Sequence, residues 1–284
     1  MYFNLNRYSG VVFIYWFCVF FAQAQNNTQK EPIENTALYW GNPSKADSLQ
    51  KDNFLMKKKQ YTLSYNTAFA TANWVAWHLD STDLGTTERQ DNFRPDTTLP
   101  KGWLRVTTSY YKNSGFDRGH LCPSADRTQS PADNQQTFLM TNIVPQAPNN
   151  NQRVWKYLED HCRDIAKKGY ELYIIAGRWG EGGEGKNGNF KRIYNDKISV
   201  PAHLWKVIIC LPIGEKDITR IDENTIIIAI SIPNIQTLHD QWEDYCLTID
   251  ELEELTGYDF FETLPDALEK ILEAKKQTSL LKQK

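Results

Sequence analysis

The run Phe116-Asp117-Arg118-Gly119-His120 sets a guanidinium and a titratable imidazole two residues apart. Further along comes a second polar cluster, Asn149-Asn150-Asn151-Gln152, followed by Trp155, Glu159 and Arg163. Imidazole, amide, carboxylate and guanidinium are the groups needed to cut a phosphodiester with the help of one hard metal ion. Histidine can take a proton from water near neutral pH. An amide oxygen can hold Mg²⁺, which keeps most of its own waters and needs few protein ligands. Arginine can clamp a phosphate that gains charge in the transition state.

These groups need elements to position them. The spacing of Val154, Leu158, Cys162 and Ile165 predicts a helix from Asn151 to Lys168, with Gly169 as its C′ residue. At about 100° per residue, Glu159 and Arg163 fall on the same flank as Asn151. Asn151 and Glu159 would stand about 12 Å apart along the axis. That suits an amide bound directly to an ion and a carboxylate gripping its waters. A helix starting there would also offer free N–H groups to a phosphate. Tyr61–Tyr65 and Trp74–Leu79 read as strands. The apolar runs Leu172–Ala176, Trp205–Leu211 and Thr225–Ile232 read as central strands. Trp103–Tyr110 reads as a strand or as a loop lining the site. Ser130-Pro131 predicts a short helix, Thr248 with Glu251 a capping box, and Pro265 the start of the last helix. Strands and helices do not alternate regularly, so the expected class is α+β.

Composition sets the outer limits. The 284 residues are 40% hydrophobic and 24% charged, enough for a packed core and against global disorder. Residues 1–24 have the order of a secretory leader: Arg7, an apolar run from Val11 to Phe21, then Ala22-Gln23-Ala24. That run is too short to span a bilayer, and no later segment is apolar enough to do so. Residues 25–36 are polar and expected to be loose, and residues 37–278 are expected to form one domain. The remaining cysteines, Cys122, Cys162, Cys210 and Cys246, permit disulfides without choosing a pairing. A net charge of −3 excludes a coating nucleic-acid binder. The charge is uneven, however. Residues 89–127 carry seven Lys/Arg against four Asp/Glu, whereas residues 240–269 carry eleven Asp/Glu and no Lys or Arg. A basic mouth with an acidic far side would steer a polyanion, and two solvated faces of opposite sign fit the counts equally.

Asp117-Arg118-Gly119-His120, Thr141-Asn142-Ile143-Val144-Pro145-Gln146 and Asn151-Gln152-x-x-Trp155-x-x-x-Glu159 together resemble the DNA/RNA non-specific endonucleases. These are the ββα-metal (His-Me finger) group that includes endonuclease G. The similarity runs from about Tyr39 to Pro265. It implies a central, mainly antiparallel sheet flanked by helices, with a ββα-metal finger as the active site. It also implies roles: His120 as general base, Asn151 as the direct protein ligand of Mg²⁺ (with Mn²⁺ as a substitute), and Glu159 on the metal's waters. Arg89 matches the transition-state arginine, with Arg94 as competitor. Arg118 and Arg163 match phosphate-side or supporting arginines, Asn142 a structural asparagine, and Asp117 a supporting acid. DNA and RNA are the implied substrates and a 5′-phosphate the implied product end. Export to the periplasm or beyond is expected from the leader.

Other readings compete with this one. Gly180–Gly185 satisfies G-x-G-x-x-G, but no Ser or Thr follows Lys186 and no helix is patterned after it, so a flexible glycine-rich loop is expected. His120, Cys122, His161 and Cys162 are a minority zinc reading. A secreted phosphodiesterase acting on small nucleotides, and a zinc- or disulfide-stabilised binding module displaying Trp74 and Trp77, are the rival functions. Neither an inhibitor partner nor an oligomeric state is legible.

Overall fold

The computed structural model describes residues 37–281, besides Met1. Residues 2–36, which hold the leader after Met1 and the whole polar segment, lie outside the described residues. The centre is a seven-stranded antiparallel sheet in the order β1-β2-β3-β6-β11-β12-β13. Its strands are Phe54–Lys57 (β1), Thr62–Asn66 (β2), Thr71–Leu79 (β3), Tyr170–Trp179 (β6), His203–Pro212 (β11), Ile226–Pro233 (β12) and Cys246–Leu247 (β13). The expected strands coincide with β2, β3, β6, β11 and β12, those at Tyr61–Tyr65 and Thr225–Ile232 each starting one residue before the observed strand.

The strands read as continuous apolar runs because both faces of the sheet are covered. On one face Val75, Trp77, Ile174 and Ile208 pack with Val154, Trp155, Leu158, Cys162 and Ile165 of the long helix. On the other, Trp74, Tyr173, Ile175, Trp205 and Val207 pack with Ile249, Leu252, Phe260 and Leu272. Side chains alternate between faces with period two, so both sets are mainly apolar. Trp74 and Trp77 are therefore core residues, 0% and 1% exposed. That removes the aromatic surface the binding-module reading required. The four cysteines are buried free thiols, so no disulfide staples the described residues.

Between β3 and β6 the chain leaves the sheet and builds the site. It forms β4 (Asp117–His120), a short helix α1 (Pro131–Gln136), β5 (Ile143–Gln146) and, after a π-helical turn at Asn150–Val154, helix α2 (Trp155–Lys167). Ser130 caps α1 by accepting from Asp133 N, as the Ser-Pro pair predicts. The segment Trp103–Tyr110 is a loop ending in a 3₁₀ turn, Thr108–Tyr111, and not a strand. A separate apolar cluster, with Val106, Tyr111, Phe116, Met140, Ile143 and Val200, supports this excursion.

The glycine-rich stretch closes as a hairpin, β7 (Gly183–Gly185) against β8 (Gly188–Phe190), with no helix after it. Gly185 lies against the Gly115 carbonyl, where a Cβ would come within 2.7 Å of the oxygen. Two short strands, β9 (Arg192–Ile193) and β10 (Ile198–Ser199), pair beyond it. Helix α3 (Ile249–Thr256) carries the expected Thr248/Glu251 capping box, and α4 (Asp266–Glu273) follows Pro265. No helix among the described residues is long and apolar enough to cross a membrane.

Candidate active site

Strands β4 and β5 pair antiparallel, with Gly119 opposite Val144 and His120 opposite Ile143. The glycine is required here: a Cβ on Gly119 would stand 2.0 Å from Gln146 Oε1. Asn142 fastens the end of β4. Its Oδ1 accepts from Cys122 N at 2.9 Å, and its Nδ2 donates to the Cys122 and Thr137 carbonyls, both at 2.8 Å. The side chain is wholly buried, so these bonds have no water to replace them.

His120 is set by this frame with its ring between two phenylalanines, 5.3 Å from Phe93 and 5.0 Å from Phe138. Its Nε2 is buried without a hydrogen-bond partner. Burial, and then the nearby guanidinium groups of Arg89 and Arg118, push its pKa down to about 3. The imidazole is therefore neutral at physiological pH and able to accept a proton.

Arg89 donates to Ser124 Oγ at 2.9 Å and lies 4.9 Å over the Phe138 ring. Arg118 lies 4.2 Å over Phe93. Both line two adjoining cavities, of about 680 and 260 Å³, and Asn151 lines both as well. Arg94 lines neither, and its Nη1 donates to the Gln135 carbonyl at 2.7 Å. Phe93, Phe138 and Ser124, which hold the imidazole and the guanidinium groups in place, carry no signal that sequence reasoning used.

Asn151 lies in the π-helical turn. The expected helix start is corrected: helical backbone is already present before it, and Asn151 N donates to Ala147 O at 2.9 Å. That N–H is spent and offers no phosphate berth. The π-turn also carries an extra residue per turn, so the regular wheel and axial spacing drawn from Asn151 do not apply to its first turn. What positions the amide is Asp117. Its Oδ2 accepts from Asn151 Nδ2 at 2.9 Å and from Gln152 Nε2 at 2.7 Å. With the nitrogen committed to a carboxylate, the Asn151 oxygen is the atom the side chain can offer to the cleft. Asn150, by contrast, is buried structure, donating to Pro233 O at 2.7 Å.

Glu159 lines the smaller cavity with His120 and Asn151. Its side chain is 12% exposed, and burial raises its pKa to about 7 against the opposing pull of Lys206 and Arg163. Lys206, 3.9 Å away, is 1% exposed and sits 4.1 Å over the Trp155 ring. Sequence reasoning missed it, although a lone lysine inside the apolar run of β11 was a visible signal. Arg163 pairs with Asp126 at 2.8 Å and with Asp160, and it borders the smaller cavity. Its direct ion pairs are with these two aspartates, while Glu159 feels its charge without a direct pair.

The basic stretch is only partly a basic mouth. Arg127 is buried and donates to the Gln60 and His78 carbonyls, and Arg105 donates to the Thr97 and Leu99 carbonyls. Backbone carbonyls of the loops and of the free edge of β3 beyond its pairing with β2 claim these guanidinium groups. Arg89, Lys112 and Arg118 of that stretch remain along the cavities. The zinc reading does not hold: His161 packs on Trp242 at 5.7 Å, and Cys122 and Cys162 are core residues. No group of potential ligands among the described residues joins them.

The family profile of the DNA/RNA non-specific endonucleases matches residues 42–267. A nuclease of Nostoc sp. (strain PCC 7120 / SAG 25.82 / UTEX 2576) is 48% identical over 250 residues, covering 87% of this chain and 88% of its own. The mitochondrial nuclease EXOG of Xenopus laevis is 31% identical over 235 residues, covering 78% of this chain and 64% of its own. Among solved structures, EndoG in the EndoG/EndoGI complex superposes with a TM-score of 0.68 at 22% identity, covering 82% of this chain and 93% of that one. The α+β fold with its antiparallel sheet is thus shared with EndoG, and the ββα arrangement of β4, β5 and α2 carries the motifs that first suggested the kinship. By both profile and relatives, the chain belongs to the DNA/RNA non-specific endonuclease family of hydrolases.

Proposed function

We propose that this protein is an exported, Mg²⁺-dependent endonuclease, with Mn²⁺ able to substitute, that hydrolyses DNA and RNA with little sequence specificity. The observation that carries the reading is a buried, neutral imidazole with a partnerless Nε2, converging with two guanidinium groups and an oriented amide around one cleft. The donor set fits a hard divalent ion. Asn151 would hold it through Oδ1, with the Glu159 carboxylate on the side of its waters. When bound, such an ion supplies charge neutralisation at the phosphate and at the departing oxygen.

The chain's own groups do the rest. His120 Nε2 takes a proton from a water as the water oxygen attacks phosphorus. The P–O3′ bond breaks, leaving a 5′-phosphate, and the 3′-oxygen is protonated from solvent. Arg89 and Arg118 face the phosphate and stabilise the charge that develops on it. They also depress the imidazole pKa in the free protein, and a bound phosphodiester placed between them reverses that effect. The base is thereby strengthened when substrate arrives. Asp117 and Asn142 act as positioning residues for Asn151 and for the end of β4.

The larger cavity extends past the chemistry along Thr108, Lys112 and Phe116. That gives a polymer room beyond the scissile phosphate and favours it over a small nucleotide. Contacts made through phosphates carry no base information, which accounts for weak specificity. The leader at residues 1–24 supports a periplasmic or extracellular location. The test is plasmid nicking by His120→Ala in Mg²⁺. A loss of at least about 100-fold is expected for removal of a general base, and nicking at the wild-type rate would remove His120 from the mechanism.

A further inference from the structure

A second group of ionisable side chains lies at the end of β3, sharing no lining residue with either cavity. His78 Nε2 donates to Glu171 Oε2 at 3.1 Å. Glu171 Oε1 accepts in turn from Arg220 and from Gly214 N. With its proton on Nε2, the imidazole carries a lone pair on Nδ1. That atom is buried without a hydrogen-bond partner, on a side chain 5% exposed. It faces Asp80 Oδ2 at 4.0 Å and Asp83 Oδ2 at 3.9 Å. The ligand atoms of the three residues lie within 4.8 Å of one another.

A lone pair turned toward two carboxylate oxygens is repulsive as it stands, and the gap is too wide for a hydrogen bond. A cation bonded at about 2.0–2.2 Å to nitrogen and to oxygen would bridge it, drawing the groups in by roughly half an ångström to reach tetrahedral angles. The Glu171 contact has the form that orients metal-binding histidines, a carboxylate taking the other ring N–H. Charge agrees. The carboxylates of Asp80, Asp83, Glu171 and Asp217 share this network with the guanidinium groups of Arg127 and Arg220. Four carboxylates thus meet two guanidinium groups here, an acidic surplus that a divalent ion would offset.

We propose that His78, Asp80 and Asp83 form a structural site for a zinc-class divalent cation, its fourth position taken by water. One imidazole with two carboxylates suits Zn²⁺ better than Ca²⁺, which takes six or more oxygens. The ion would staple the end of β3 to the following loop. Asp83 already anchors that region, its carbonyl accepting from Thr128 N and Gln129 N, both at 3.1 Å.

The site is independent of the nuclease reading and can be tested where that chemistry is removed. The full-length chain carrying Asn151→Ala is stripped with a chelator, dialysed against Zn²⁺ and assayed for bound metal and melting temperature. One equivalent of zinc and a higher melting temperature are expected. Glu171→Gln on that background should weaken zinc binding by roughly 10–100-fold, as loss of an orienting carboxylate does. Asp80→Asn, which keeps an oxygen for the Thr82 cap, should abolish it. X-ray absorption at the zinc edge of the Asn151→Ala protein should show one imidazole and otherwise oxygen ligands, a readout that holds even if the double variants fail to fold. No retained zinc with an unmoved melting temperature, or a zinc shell containing sulfur or several imidazoles, would overturn the proposal.

Discussion

Asp117→Asn isolates the orientation of the Asn151 amide. Asp117 can only accept, so its carboxylate holds Asn151 Nδ2 at 2.9 Å and Gln152 Nε2 at 2.7 Å and keeps the Asn151 oxygen facing the cleft. Asparagine at 117 is the same size but can also donate, and it then competes for the oxygen that the ion needs. A hydrogen bond to a charged acceptor contributes about 1.5–3 kcal/mol, roughly twice a neutral one. The orienting preference therefore falls by about 1–2 kcal/mol, a factor of about 5–30. The cost should appear in metal affinity, because the base and the arginines are untouched. In a nuclease assay titrated with Mg²⁺, the half-saturating concentration should rise by that factor, with most of the rate recovered at saturating Mg²⁺. An unchanged Mg²⁺ dependence would refute the orienting role. So would a rate loss that no Mg²⁺ concentration restores, since that would put Asp117 in the chemical step.

Other outcomes follow from the same geometry. The folded pKa of His120 is depressed to about 3 from 6.5, so its contribution to stability is full above pH 6.5 and is lost as pH falls toward 3. Between pH 6.5 and 4 the wild type should lose about 3 kcal/mol more than His120→Gln in chemical denaturation with EDTA, and parallel losses would contradict the depressed value. Lys206→Met removes the positive charge 3.9 Å from Glu159, which should push that carboxyl above about 7. Activity should then fall more at pH 6.5 than at pH 8.5, and stability should fall as well, because removing one partner leaves the Glu159 carboxylate buried without its compensating charge. A loss equal at both pH values would show that Lys206 does not act through Glu159. Asn142→Ala leaves buried backbone groups of Cys122 and Thr137 without partners and should cost about 3 kcal/mol or more by urea denaturation. Gly119→Ala forces a methyl against Gln146 and should cost about 1–3 kcal/mol. A wild-type midpoint in either variant would show that β4 is not fastened as described.

What the amino-acid order determined by itself was whatever depends on neighbours in the chain. Ser130-Pro131 and Thr248/Glu251 mark helix starts because a cap is made within one turn. The central strands are legible because a short, uninterrupted apolar run is a property of neighbouring residues. The co-occurring motifs around His120 and Asn151 pointed to nuclease chemistry before any pairing was known. Tertiary structure decided which charges are buried and which partners they meet, because those follow from segments far apart in the chain. Arg89 and Arg94 look alike in sequence, and only the packing of 124–138 separates a guanidinium at the cleft from one spent on a carbonyl. The π-turn shifts Asn151 out of a regular wheel, and Asp117, from another strand, turns its amide. Lys206 beneath Glu159, and His78 between Asp80, Asp83 and Glu171, exist as groups only once β3, β6, β11 and α2 are assembled. Desolvation and long-range charge, which set what these side chains can do, are properties of that assembly and not of any window of sequence.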